Sequence, residues 1–297
     1  MEIDYLKKKF SNSVKFNQNL SKFNWFGVGG NTEILFEVED KNSLAVFLKK
    51  RPQNSKVFPI GAGSNVLIRD KGIKGITILT KKLCNLSIDN NGIITAEAGA
   101  MDANVARFAR NNGRTGLEFL MGIPGTIGGG IRMNSGAFGT EFKDVLIDVI
   151  AINHSGEFKT FQNNELKMGY RQIGIGEDWI FCSARFKSSK GTKIIIEKKM
   201  KKIIKLRKDA QPVGVKTGGS TFRNPKNYKA WKLIDQAGCR GLKIGKAMIS
   251  EKHCNFIINA KNSNATEIEE LGEHVRRKVF ERSGITLKWE IQRVGIK

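Results

Sequence analysis

Long apolar runs are missing from this chain. No stretch approaches the ~18 to 20 apolar residues that span a bilayer, and the opening "MEIDYLKKKFSNSVKF" holds no hydrophobic core of leader length. The expectation is a cytoplasmic protein with no membrane contact. Cysteine is sparse: Cys84, Cys182, Cys239 and Cys254 stand far apart with no C-x-x-C pair. That spacing argues against a disulfide framework or a metal site and for reduced, mostly buried thiols. Histidine occurs only at 154, 253 and 274. Proline is scarce, with 5 in 297 residues, and 40% of the chain is apolar, so disorder and fibrous folds are excluded. The two common phosphate-loop signatures are also absent. Val66 stands where G-x-G-x-x-G needs its last glycine, and no P-loop lysine follows the glycines.

Acidic residues are in deficit, 28 against 51 basic ones, giving a net charge of +23. Three readings fit: a nucleic-acid binder, an enzyme that attracts polyanionic ligands, or a solvated lysine-rich surface. The densest cluster, "KKMKKIIKLRK" (198–208), alternates lysine with Ile and Leu at helical spacing and has no aromatic residue to stack on a base. No nucleic-acid partner is expected.

The pattern of elements is α+β. "TEILFEV" (32–38) reads as a strand, and "NSLAVFLKKR" (42–51) as a helix capped by Asn42 or Ser43. Short strands follow as far as 98. "DANVARFARNNG" (102–113) has an acidic first turn and a terminal glycine, and so reads as a helix. Strands resume at "VLIDVIAIN" and "DWIFCSARFK", and the basic helix ends at "DAQPVG", a plausible boundary. Beyond it lie a helix in "YKAWKLIDQAGC", a strand "NFIINA" and a long helix starting at Asn264 or Thr266 and stopped by Gly284. A last strand, "ITLKWEIQRVG", follows.

Five short stretches carry possible chemistry. In "TGGSTFRNP" (217–225) two glycines precede Ser220, but Phe222 rules out the G-x-S-x-G elbow and no histidine is near in sequence. A hydrolase nucleophile is therefore poorly supported. "PIGAGSNVLI" (59–68) fits either an anion nest or a plain glycine hairpin. "GIPGTIGGG" (122–130) has five glycines in nine residues among apolar neighbours. Backbone that bare approaches something closely, a pyrophosphate with a flavin ring being one candidate and a structural turn another. Arg171 in "MGYRQ" and Glu290 in "LKWEIQRVG" are isolated charges. Lys288, Glu290 and Gln292 would share one strand face.

The order of these motifs resembles the UDP-N-acetylenolpyruvoylglucosamine reductase family of peptidoglycan synthesis. The matching pieces are "FGVGGNTEILFEV", "GAGSNVLIRD", "GLEFLMGIPGTIGGGIRMNSGAFG", "YRQ", "GGSTFRNP", "AWKLIDQAGCRGLKIGKAMISEKHCNFIIN" and "WEIQRVG". The resemblance implies an N-terminal extension (1–19) and a two-lobed FAD-binding domain of the vanillyl-alcohol-oxidase type (20–190). A linker helix (191–204) and a smaller α+β substrate domain (205–297) would follow. It implies non-covalent FAD held at Ile60, Gly61, Ala62, Gly63, Ser64, Asn65, Val66, Ile123, Pro124, Gly125, Thr126, Gly128 and Gly129. It also implies NADPH as electron donor and the enolpyruvyl ether of UDP-N-acetylglucosamine as substrate, reduced to the lactyl ether of UDP-N-acetylmuramate. No obligate protein partner is expected.

By the same resemblance Ser220 is the general acid, Arg171 the cation for the substrate carboxylate, and Glu290 the catalytic glutamate. Lys216, Asn224, His253 and Asn255 fall in stretches near the substrate. Two departures stand out. The family's longer branch has an insertion after the Tyr-Arg motif that carries a tyrosine, and this chain lacks it, so it resembles the shorter type. Lys246 replaces the second glycine of the family's "IGG". The main rival is another FAD-dependent oxidoreductase of the same flavin fold.

Overall fold

A computed structural model describes residues 2–297. The chain forms two compact units. One takes the chain up to Phe16, then Ile34–Ala62 and Gly75–Arg207; the other takes Asn17–Glu33, Gly63–Lys74 and Lys208–Lys297. The two units interleave along the chain. Residues 17–33 and 63–74 group with the C-terminal part.

The first unit is built on two larger sheets, one of four strands and one of five. Its N-terminal helix α1 (Glu2–Lys9) buries Leu6 completely in a core shared with α2 (Lys41–Lys50). The cap of α2 is Asp40, not Asn42 or Ser43. Its carboxylate accepts from Asn42 and Ser43 N–H, while the Ser43 hydroxyl closes a capping box. Phe36 and Phe47 stack at 4.0 Å in this core. The four-stranded sheet runs in the order Val14–Asn19, Asn31–Glu37, Ile73–Leu79, Val57–Ile60, the last two parallel.

A five-stranded antiparallel sheet has the order Phe158–Gln162, Leu146–Asn153, Trp179–Phe186, Ile94–Glu97, Leu86–Ile88. A second core lies against it under α3 (Asp102–Asn111), α4 (Ile127–Arg132) and α5 (Phe142–Val145). The glycine stretch 122–130 is thus not all loop, since its last glycines open α4. The basic helix, α6 (Lys193–Ala210), buries only Ile196 and Met200. Its exposed lysines fit a solvated face.

The second unit packs α7 (Ala230–Gln236) and α8 (Ala265–Ser283) over a core that includes Phe26, Leu67, Phe222, Leu271 and Ile291. Its antiparallel sheet is ordered Thr217–Ser220, Phe256–Asn259, Ala247–Ile249, Lys243–Ile244. Helix α8 starts and stops where the sequence places it. Asn264 accepts from Glu267 N–H, and Gly284 ends it at φ +70°. A distant residue completes the cap: the Asp70 carboxylate accepts from Ala265 and Thr266 N–H, each at 2.9 Å. The last strand is shorter than expected. The strand is Gln292–Val294, in parallel with Val66–Ile68; residues 285–288 carry no strand, and Trp289 makes a single antiparallel bridge to Phe222. No helix among the described residues is long and apolar enough to cross a membrane.

One acid intrudes into the core. Asp102, first residue of α3, is fully buried, and neither carboxyl oxygen has a hydrogen-bond partner among the described residues. Burial pushes this carboxyl well above the usual carboxylate range, because an unpaired charge in apolar surroundings is too costly to keep. The unfolded chain loses the same proton near pH ~4. Above that pH the unfolded state gains free energy of ionisation that the folded state lacks, so the group lowers stability as pH rises toward its folded pKa. Asp102→Asn, which cannot ionise, is expected to gain in Tm over the parent between pH 4.5 and pH 8. A Tm difference that stays constant across that range would show the carboxyl ionised in the folded protein.

Candidate active site

Ser220 ends a strand with a bulge. Thr217 pairs with Ile258 and Ser220 with Phe256, so the Ser220 strand carries one extra residue. The two glycines explain how. Gly219 adopts φ +79°, and a Cβ on Gly218 would lie 2.4 Å from the Phe26 ring. One glycine supplies the left-handed turn and the other the close packing. Their shared effect is to set the direction of Ser220.

The next residues tie Ser220 to Glu290. Glu290 donates its backbone N–H to the Thr221 carbonyl at 2.8 Å, Arg223 donates to Lys288 O at 2.8 Å, and Phe222 bridges Trp289. The Asn65 side-chain amide donates to the Glu290 carbonyl at 3.2 Å. Asn255 braces the other side. It is buried, its Oδ1 accepts from Phe222 N–H at 3.0 Å and its Nδ2 donates to Phe222 O at 2.8 Å. Asn255 thus holds the segment after Ser220.

Of the other substrate candidates, His253 is half-buried between Trp231 and Phe256. Its Nδ1 accepts from Asn255 N–H at 3.3 Å, which leaves the proton on Nε2. Burial lowers its pKa and keeps the ring neutral. Asn224 is exposed and its Oδ1 accepts the first N–H of α7, from Ala230, at 2.9 Å. Lys216 is exposed, its ammonium 3.2 Å from Asn262 Oδ1 and its stem along Gly27. Lys246 is exposed, with its N–H on Glu267.

Arg171 stands in the other unit, at the tip of a tight turn closed by Gly169 and Gln172. Its φ is +56°, a conformation uncommon for a residue with a Cβ. The guanidinium donates to Asn134 O at 3.4 Å and Gly136 O at 3.3 Å, lies 4.0 Å from a Glu141 oxygen, and covers the Tyr170 ring. Asn134 organises this turn. It is fully buried at φ +38°, donates to Glu141 and to Gly169 O at 3.0 Å, and accepts from Lys143 N–H. The sequence reading did not single it out. Its signal was an asparagine ahead of Ser-Gly in a glycine-rich stretch, since asparagine tolerates left-handed backbone.

The glycine loops are bare for two different reasons. A Cβ on Gly122, Gly128 or Gly130 would sit 2.8 Å from Phe138, 3.0 Å from Ala98 or 2.3 Å from Phe142. On Gly61 it would fall 2.1 Å from Thr126 Oγ1, and on Gly63 2.2 Å from Phe23 O. These glycines are small because the chain packs on itself. Gly129 differs: it is exposed, and its nearest neighbour, Thr126 Oγ1, is a relaxed 3.7 Å away. The Thr126 hydroxyl is buried with no hydrogen-bond partner among the described residues. Ile60, Ala62 and Val66 are buried.

Known proteins share both the chain and its shape. The sequence profile described as FAD binding domain matches residues 32–162, and that of the UDP-N-acetylenolpyruvoylglucosamine reductase C-terminal domain matches residues 211–294. A protein of Paramagnetospirillum magneticum named UDP-N-acetylenolpyruvoylglucosamine reductase is 47% identical over 285 residues, 96% of this chain and 92% of that one. A Rickettsia bellii protein of the same name is 47% identical over 93% of this chain and 92% of its own length. The crystal structure of the reductase of that name from Thermus caldophilus superposes with a TM-score of 0.81 at 31% identity, covering 95% of this chain and 98% of the other. Likeness of this extent, running through both units, means that the chain belongs to the UDP-N-acetylenolpyruvoylglucosamine reductase family.

Proposed function

We propose that this protein reduces the enolpyruvyl ether of UDP-N-acetylglucosamine to the lactyl ether, with bound FAD and with NADPH as electron donor. The observation that supports the reading is the backbone pairing of Thr221, next to Ser220, with Glu290, in a chain that matches the family along nearly its whole length. The residues fit the cofactor. Gly129 is exposed and has no internal reason to lack a side chain, and the Thr126 hydroxyl beside it lacks a partner. FAD, when bound, supplies the hydride.

The chain's own residues handle charge and proton. Hydride addition at the enolpyruvyl methylene leaves negative charge on the neighbouring carbon and its carboxylate. Arg171 is the cation that balances that carboxylate, already fixed by its turn. Glu290 hydrogen-bonds the same group and carries a proton when it does so. Ser220 then donates its hydroxyl proton to carbon, the O–H bond breaking as the C–H bond forms, and its oxygen is reprotonated from solvent through a relay. The serine is a weak acid in water, so the reading requires its oxygen to be held against that carbon, which the bulge and the Asn255 brace support. His253, neutral and with its Nε2 proton available, together with Lys216, is assigned to the UDP-sugar.

Two outcomes follow. Gly129→Val is expected to purify with little flavin while keeping its far-UV circular dichroism, because branched side-chain volume then occupies the one exposed bare position of the stretch. Full flavin occupancy in this variant would contradict the cofactor assignment. Ser220→Ala is expected to leave flavin reduction by NADPH near the parental rate and to slow reoxidation by the UDP-sugar by ~10²–10⁴, the range for loss of a general acid. Anaerobic stopped flow resolves the two halves. Equal slowing of both would make Ser220 a structural residue.

A further inference from the structure

Helix α8 carries a glycine in its interior, Gly272, at a position where alanine favours the helix more. Neither a turn nor a cap explains it. A Cβ there would lie 2.2 Å from the Trp289 ring. The glycine exists so that the indole can lie directly on the helix backbone. The next residue of the helix, Glu273, accepts the indole N–H at 2.8 Å. The Arg293 guanidinium lies over the ring at 4.5 Å and also binds Glu273 at 2.8 Å. Phe222 packs on the ring at 5.1 Å.

Trp289 is thus held by α8, by Arg293 and by the segment that follows Ser220. It immediately precedes Glu290, whose backbone is bonded to Thr221 and Asn65. We infer that Gly272 and Glu273 of α8 form a seat for Trp289 that positions Glu290 for the reduction of the UDP-sugar. Neither residue touches the substrate. They act by fixing the indole, and through it the strand position from which the Glu290 carboxyl projects. The inference rests on Glu290 being the catalytic glutamate.

The arrangement has a stated chemical requirement. The seat needs an acceptor at 273 for one N–H and no side chain at 272. It does not need the negative charge for the indole bond, although Arg276 and Arg293 use that charge. Glu273→Gln keeps the acceptor and Glu273→Met removes it. Gly272→Ala displaces the ring directly. A misplacement near 1 Å in a catalytic group slows chemistry by up to about a hundredfold.

The test compares anaerobic half-reactions of the flavin-loaded protein. In Gly272→Ala and Glu273→Met, reoxidation by the enolpyruvyl UDP-sugar is expected to slow by about tenfold to a hundredfold, with flavin reduction by NADPH unchanged. Glu273→Gln is expected to stay within about threefold of the parent, short of the loss from a misplaced group. Added to Glu290→Gln, the Gly272→Ala change is expected to slow reoxidation no further, because the group it positions is already disabled. Should Gly272→Ala fail to fold, the pair at 273 carries the same comparison. Slow reoxidation in Glu290→Gln with normal reoxidation in the seat variants overturns the seat. Seat variants that slow both half-reactions equally also overturn it. Normal reoxidation in Glu290→Gln overturns the catalytic reading of Glu290, and the seat with it.

Discussion

The hydrogen bond from Glu290 N–H to the Thr221 carbonyl, 2.8 Å long, is the constraint on which the C-terminal unit depends. It joins two segments nearly seventy residues apart and sets the backbone of Thr221, the residue after Ser220, against that of Glu290. A buried backbone bond of this kind contributes only about 1 kcal/mol net. Its persistence comes from the groups on either side. Asn255 braces Phe222, Asn65 braces the Glu290 carbonyl, and α8 holds Trp289. Helix α8 is itself anchored by the Asp70 cap and by the Arg69–Glu269 and Arg293–Glu269 pairs. Every one of these contacts lies within one compact unit, so the pairing of the segment after Ser220 with that of Glu290 is fixed there.

Glycine does two kinds of work here, and they are told apart by what a missing methyl group would meet. At Gly218, Gly130 and Gly272 it would meet an aromatic ring of the same unit, so smallness serves packing. At Gly129 it would meet nothing close, so packing does not account for its smallness. A glycine count in the sequence cannot separate these cases. Five glycines in 122–130 suggested a ligand loop throughout, yet most of them are explained by Phe138, Ala98 and Phe142.

Elements fixed by local chemistry were legible. Helix α8 begins at an asparagine cap and ends at a left-handed glycine, and both signals lie within its own stretch of sequence. The cap of α2 was misplaced by a short step because Asp40, Asn42 and Ser43 can all cap; the capping box between Asp40 and Ser43 decides among them. What depends on distant partners was not legible. Residues 63–74 join the C-terminal unit through the parallel pair of Val66–Ile68 with Gln292–Val294, more than two hundred residues away. Asp70 caps a helix nearly as distant. Ser220, Arg171 and Glu290 have no local motif that gives their chemistry, and only the resemblance of the whole chain to a family assigned them roles. The strained φ of Arg171 and the buried hub at Asn134 needed coordinates.

The most direct measurement is an anaerobic titration of the purified wild-type protein followed in the visible spectrum. The account predicts a yellow protein whose oxidised-flavin band is bleached by NADPH. Adding the enolpyruvyl ether of UDP-N-acetylglucosamine should then restore the band, with the lactyl ether formed in equal amount. A protein that cannot be loaded with flavin, or a reduced flavin that this UDP-sugar leaves bleached, would contradict it.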